Sequence, residues 1–175
     1  MDIDATIQDV RIFIRREGVA ALSVDDLQQE DIPQLKWSGS PLHIESVRDA
    51  LTRVASGSVE YLVVRAPCGR PIAKGGIEHA DPHGPGKLWQ LATHPELQSL
   101  GIGTHLMAEL EDRVRSRGHS VAWLGVELEN VRARALYERL GYELFAEEMD
   151  GWETEDATGR RVWKEVRVAL MRRSI

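Results

Sequence analysis

Two stretches of this chain combine residue types that can do chemistry. Gln98-Ser99-Leu100-Gly101-Ile102-Gly103 lies where a strand pattern gives way to a helical one. The first N–H groups of a helix lack internal partners, and the helix dipole adds positive potential at that end. Glycine removes the Cβ that would hold a phosphate at a distance, so successive amides can form an anion-binding concavity. Phosphate binding is therefore the chemistry this turn offers. The dinucleotide fingerprint needs a small residue where Leu106 stands, and a P-loop needs a Gly-Lys-Ser/Thr that is absent. A lone Gly-x-Gly serves equally well as a flexible turn.

The second stretch runs from Asn130 to Tyr142. It opens on a good N-cap residue and closes at Gly141. Ala133, Leu136, Tyr137 and Leu140 share one helical face, while Arg132, Arg134, Glu138 and Arg139 occupy the rest. Taken singly, Asn130 reads as a cap and Tyr137 as a core aromatic with a polar tip.

The elements that would position these stretches follow from periodicity and turn chemistry. Val10, Ile12 and Ile14 alternate with Arg11, Phe13 and Arg15, which suggests a short first strand. Val19–Leu27 reads as another strand, and Asp31–Trp37 as a helix with Pro33 in its first turn. His43–Ala55 carries Ile44, Val47, Leu51 and Val54 at helical spacing. Strands are expected around Tyr61–Val64, over Pro71–His79 with Gly75-Gly76 inside, and over Lys87–Thr93. A helix over Gly101–Arg117 follows, with Ile102, Leu106, Leu110 and Val114 on its apolar face. A strand over Ser120–Val126, a helix over Val131–Leu140 and two terminal strands around a polar loop at Glu153–Gly159 complete the order. This succession predicts a single α/β domain over residues 1–175, with a mixed sheet and helices on both faces.

Composition narrows the class. With 175 residues, 42% apolar and 29% charged, the chain suits one soluble domain with a sizeable core. No apolar run reaches the roughly 20 residues that span a bilayer, and Met1-Asp2-Ile3-Asp4 lacks the flank of a signal peptide. Cys68 is the lone cysteine and cannot form an internal disulfide, so a reducing, cytoplasmic setting is expected. The net charge of −6 points away from nucleic acid and is compatible with an amine acceptor.

The two stretches together resemble the GNAT N-acetyltransferase superfamily. In that family a strand leads into Gln/Arg-x-x-Gly-x-Gly/Ala. Asn-x-x-Ala-x-x-x-Tyr-x-x-x-Gly-Phe/Tyr follows some thirty residues later. Here Leu91-Ala92-Thr93-His94-Pro95-Glu96-Leu97 precedes Gln98, and the second motif occupies Asn130–Tyr142. The match is close over residues 87–145 and loose elsewhere.

The resemblance implies an acyl-coenzyme A N-acyltransferase-like fold, with a mostly antiparallel, twisted sheet. It implies acetyl-coenzyme A as co-substrate, no metal, and an amine of a small molecule or peptide as acceptor. The strand before the glycine turn would splay from its neighbour, Leu91 and Thr93 would pair with the pantetheine arm, and a strand N–H near Ala92 or Thr93 would meet the oxyanion. Gln98, Ser99, Leu100, Gly101, Ile102, Gly103 and Thr104 would hold the pyrophosphate. Asn130 would contact the cofactor or order the acceptor side, and Tyr137 would lie near the thioester sulfur. Ser99 and Leu100 depart from the family's glycine and basic residue, which removes one charged contact to phosphate. Dimers are common among such proteins, though nothing in this sequence demonstrates one. A non-catalytic acyl-coenzyme A-binding module of the same fold is the alternative.

Glu78 is the first candidate for a general base and Glu127 the second. Other groupings carry less. His79-Ala80-Asp81-Pro82-His83 has no second ligand pair for a metal, and Cys68 sits in a Pro-Cys-Gly turn without a neighbouring histidine. The acidic residues between Glu147 and Asp156 read as a solvated loop. Trp37, Trp89, Trp152 and Trp163 are candidates either for an acceptor pocket or for core packing.

Overall fold

A computed structural model describes residues 6–175; the reading of Met1–Asp4 lies outside them. Among the described residues, seven strands form one sheet in the order β1-β2-β3-β4-β5-β7-β6. They are β1 (Ser23–Asp26), β2 (Val59–Arg65), β3 (Pro71–Glu78), β4 (Lys87–Thr93), β5 (Val121–Glu127), β6 (Glu143–Glu155) and β7 (Arg161–Ser174). Every neighbouring pair is antiparallel except β4–β5. Helices α1 (Ile7–Glu17), α2 (Pro41–Thr52), α3 (Ile102–Ser116) and α4 (Val131–Arg139) flank it.

Alternation along the strands sorts the core into two faces. Leu62 and Val64 point with Ile72 and Ile77 into a cluster completed by Val10 and Ile14 of α1, by Leu106 and Leu110 of α3, and by Tyr137 of α4. Tyr61 and Val63 point the other way, against Val47 and Ala50 of α2 and the turns holding Ile32 and Leu35. Helices therefore cover both faces of a mixed sheet, as the order of elements predicts.

The first segment departs from the strand expected of it. Residues 7–17 are helical because Thr6 and Asp9 form a reciprocal capping box, with Asp9 N–H on Thr6 Oγ1 and Thr6 N–H on Asp9. Val10 and Ile14, four apart, are the buried pair, while Ile12 is exposed. The apparent alternation is one stripe of a helix sampled through two apolar neighbours. Val19–Leu27 likewise contributes only the short β1 after a 3-10 turn at Val19–Ala21. The helix expected at Asp31–Trp37 is a pair of 3-10 turns, Gln29–Gln34 and Lys36–Ser38. α2 begins two residues earlier than expected, where Ser40 Oγ accepts from His43 N–H and Pro41 occupies the first turn.

A buried polar contact fixes the base of α4. Glu111 of α3 is 5% exposed; it accepts from the Tyr142 hydroxyl at 2.9 Å and from Arg173 Nη1 at 2.9 and 3.1 Å. This joins the end of α4 to α3 and β7. Removing the carboxylate strands a buried hydroxyl and a half-exposed guanidinium. Glu111→Ala is expected to lower the free energy of unfolding in urea by about 2 kcal/mol. A loss below about 0.5 kcal/mol would contradict this role.

Candidate active site

The site begins with a defect in the ladder between β3 and β4. Lys74 lies opposite Ala92, and Gly76 opposite Trp89, so β4 fits Gln90 and Leu91 against the single residue Gly75. The extra residue is absorbed at Gln90, whose φ of 51° is left-handed. Glycine is needed across from it: a Cβ on Gly75 would lie 2.6 Å from Leu91 Cδ2, and one on Gly76 2.7 Å from Trp89 Nε1.

Just before this bulge β4 leaves β5. The two strands share only Lys87–Trp123 and Leu88–Leu124. Beyond Leu88, β5 continues against β7 alone, and among the described residues no strand lies opposite that edge of β4 from Trp89 to Thr93. A strand edge without a partner offers main-chain donors and acceptors to an extended ligand.

A cavity of about 640 Å³ opens beside the end of β4. Leu91, Ala92 and Thr93 line it from β4, and Gln98, Ser99, Gly101, Ile102, Gly103 and Thr104 from the glycine turn. Asn130, Arg132 and Tyr137 line it from α4, and Trp37 and Ser38 from the turn before α2. Of the residues expected to bind cofactor, Leu100 alone is not among the lining residues; its side chain packs against the core.

The glycine turn is shaped for this position. Ser99 and Gly101 are both left-handed, with φ of 63° and 86°, and Gly101 stands at the N-cap of α3 without a capping side chain. The first-turn amides of α3 are thus left open toward the cavity. Gln98 Nε2 donates to the Thr93 carbonyl at 3.5 Å, tying the turn to the end of β4. Positive charge stands beside the turn although Leu100 carries none: Arg132 Nη2 donates to Ser99 Oγ at 3.0 Å, and Arg139 lines the same cavity. Position in the sequence hints at Arg132, two residues into the helix that Asn130 caps. Asn130 Oδ1 accepts from Ala133 N–H at 3.2 Å, so Asn130 both caps α4 and faces the cleft.

Tyr137 is largely buried, and desolvation pushes its phenol up to about 12. The two carboxylate candidates are not brought to the cleft. Glu78 opposes Lys87, five residues and roughly 16 Å along β4 from Ala92, and its carboxylate pairs with Arg53 at 2.5 Å. Glu127 pairs with Lys164 of β7 at 3.0 Å. Of the tryptophans, Trp37 lines the cleft, with its ring 5.4 Å from that of His94. Trp89 packs on the α2 face, Trp152 lies under Lys164, and Trp163 is exposed. His79 contacts Glu60, and His83 contacts Asp81.

Sequence reading did not find Lys74. It is fully buried, with Nζ donating to the Tyr61 hydroxyl at 2.9 Å and to the Gln90 carbonyl at 3.0 Å. Burial lowers its ammonium from the ordinary 10.5 to about 7. His43 on α2 is lowered to about 4, by burial first and by Lys74 second.

The strand, the glycine turn and the α4 face line one cleft, and comparison with known proteins shows the family to which the chain belongs. Residues 23–142 match the Acetyltransferase (GNAT) family, and the chain belongs to that family. It is 40% identical over 55 residues to the [ribosomal protein bS18]-alanine N-acetyltransferase of Escherichia coli K12; that stretch is 31% of this chain and 37% of the relative. The chain thus spans a little over a third of the length of the curated relatives it matches. The crystal structure of the Escherichia coli ribosomal-protein-S18-alanine N-acetyltransferase superposes with a TM-score of 0.67 at 20% identity, covering 88% of this chain and 94% of that one. A spermidine/spermine N-acetyltransferase from Vibrio cholerae gives 0.65 at 15% identity, with 89% and 94% covered. An N-acetyltransferase from Thermoplasma acidophilum, solved with coenzyme A, gives 0.62 at 18% identity, with 89% and 99% covered. At these identities the likeness is one of fold.

The buried lysine makes stability depend on pH. Between about pH 7 and 10.5 the unfolded chain holds a proton on Lys74 that the folded protein has released, so the unfolding free energy rises with pH across that window. The thermal midpoint is expected to rise from pH 7 to 9.5, and to rise less in Lys74→Met. Equal slopes for the two proteins would contradict the assignment.

Proposed function

We propose that the chain transfers an acetyl group from acetyl-coenzyme A to a primary amine of a small molecule or peptide, by direct attack within one cleft. The observation that carries this reading is the unpartnered edge of β4 running into an open helix N-terminus, with Tyr137 facing it across the cavity. On this reading Leu91 and Thr93 pair with the pantetheine arm. The amides from Gln98 to Thr104 hold the pyrophosphate, and Arg132 adds the charge that Leu100 lacks.

The amine nitrogen forms a bond to the thioester carbonyl carbon, the carbon–sulfur bond breaks, and the amine gives up a proton. Fixing both reactants in the cleft supplies part of the rate. A β4 N–H near Ala92 or Thr93 donates to the developing oxyanion. Tyr137 donates to the departing sulfur. Its pKa near 12 lies about 3.5 units above that of a thiol, so complete proton transfer is uphill by ~5 kcal/mol. Tyr137 therefore acts through a hydrogen bond that strengthens as charge builds on sulfur. Glu78 and Glu127, held in ion pairs, leave deprotonation of the amine to solvent or to the acceptor's own equilibrium.

The named activities of the relatives, on a protein's terminal alanine and on polyamines, suggest the acceptors to try first. A non-catalytic coenzyme A-binding module would share the cleft, and the placement of Tyr137 in it favours catalysis. Free thiol release from acetyl-coenzyme A is the measurement, run with polyamines and with peptides that carry a free terminal alanine. Amine-dependent release is expected, and Tyr137→Phe should lower turnover at saturating substrates about tenfold or more. Turnover within twofold of wild type would remove Tyr137 from the mechanism. Coenzyme A binding without release by any amine in a broad panel would favour the binding module.

A further inference from the structure

A lysine buried completely in a strand, against neutral partners, is costly unless its amine does something there. Lys74 has two such partners, and both lead to the same residue. Its Nζ donates directly to the Gln90 carbonyl at 3.0 Å. It also donates to the Tyr61 hydroxyl, which in turn donates to Gln90 Oε1 at 2.9 Å. Gln90 Nε2 donates to Ser46 Oγ of α2 at 2.7 Å. Gln90 is thus held at its main-chain carbonyl and at both ends of its side-chain amide.

This is the residue in the left-handed conformation, the one where β4 gains its extra residue, two positions after its last rung with β5 at Leu88. A non-glycine side chain disfavours that backbone, so the surroundings must hold it there. The next three residues, Leu91, Ala92 and Thr93, line the cleft. Their direction is set by the peptide that Lys74 grips.

We infer that Lys74 is a positioning residue: through the Gln90 carbonyl and Tyr61 it clamps the kink in the stretch of β4 that has already left β5, and so aims the β4 edge at the acyl donor. This rests on the acetyl-transfer reading for its catalytic consequence, but the clamp itself is readable from coenzyme A binding alone. The amine works as a donor whether charged or neutral. The titratable groups facing it are Tyr61 from β2 and His43 from α2, neither of which is an anion at neutral pH.

The decisive comparison uses Lys74→Met, which keeps length and apolar bulk but has no donor, and Lys74→Met combined with Gln90→Gly. Glycine adopts positive φ without steric cost, so it should restore the kink once the clamp is gone. Calorimetry with coenzyme A is expected to show affinity reduced at least tenfold in Lys74→Met and returned to within about threefold of wild type in the double variant. kcat/KM for acetyl-coenzyme A should move in parallel. Affinity within twofold of wild type in Lys74→Met, or a double variant as weak as the single one, overturns the clamp. Should Lys74→Met not fold, Tyr61→Phe takes its place. It removes one arm of the clamp, with a loss of at least threefold expected and recovery again by Gln90→Gly; no loss overturns the proposal. A wild type that binds coenzyme A but acetylates no amine defeats the acetyl-transfer reading and leaves the affinity comparison to judge Lys74. A wild type that does not bind coenzyme A overturns both.

Discussion

Neighbouring parallel strands ordinarily stay paired, because main-chain groups left without partners away from water cost about 1–3 kcal/mol each. β4 and β5 share two rungs and then part. The architecture around the cleft answers to that separation. Gln90 supplies the kink, Gly75 and Gly76 make room for Leu91 and Trp89, and β5 turns to β7 for its remaining partners. α3 begins at the end of the divergent strand, and α4 closes the opposite wall with Tyr137. A cleft made by leaving a sheet unfinished presents an extended ligand with a strand edge. It also presents the anionic end of that ligand with a helix terminus.

Much of this was legible in the residues, and what was not has physical causes. The run from β4 through α4 could be read because each element is bounded by its own punctuation: the His-Pro turn, Gly101, Gly118 and Gly141. The cleft residues could be placed because backbone atoms do the proposed binding, and backbone is specified by glycine positions more than by side-chain identity. α1 was misread because Val10, Ile12 and Ile14 fit period two as well as the helix that the Thr6–Asp9 box starts. The Asp31–Trp37 stretch was misread because apolar spacing does not separate an α-helix from successive 3-10 turns around a proline.

Side-chain destinations were harder. Glu78 is a candidate by its place near the end of the strand Pro71–His79, yet the β3–β4 register carries it to the Lys87 end. Lys74 gave no signal because a lysine in Pro71–Glu78 reads as an outward residue. Only the pleat, with Tyr61 and Gln90 on the same side, turns its amine inward. Arg132 became visible once α4 lay beside the glycine turn.

Trp37 and Ser38 border the cavity from the turn before α2, and the tip of the β6–β7 hairpin reaches the start of α2. Leu42 N–H donates to Glu155 at 3.3 Å, and Arg161 pairs with Glu45 at 2.9 Å. Those contacts join the tip of the hairpin to the start of α2.

At the centre stands the claim that the open amides after Gly101, with the bare edge of β4, hold the phosphates and arm of a coenzyme A thioester. Isothermal calorimetry of the purified protein with coenzyme A, repeated on Gly103→Val, tests it most directly. A Cβ at Gly103 would contact Thr93 and Leu136 at 3.6–3.7 Å, so branched bulk there fills the cleft floor where the turn meets it. The account predicts saturable one-to-one binding by the wild type and at least a tenfold loss in the variant. No heat of association at millimolar coenzyme A, or equal affinity in the two proteins, would contradict it.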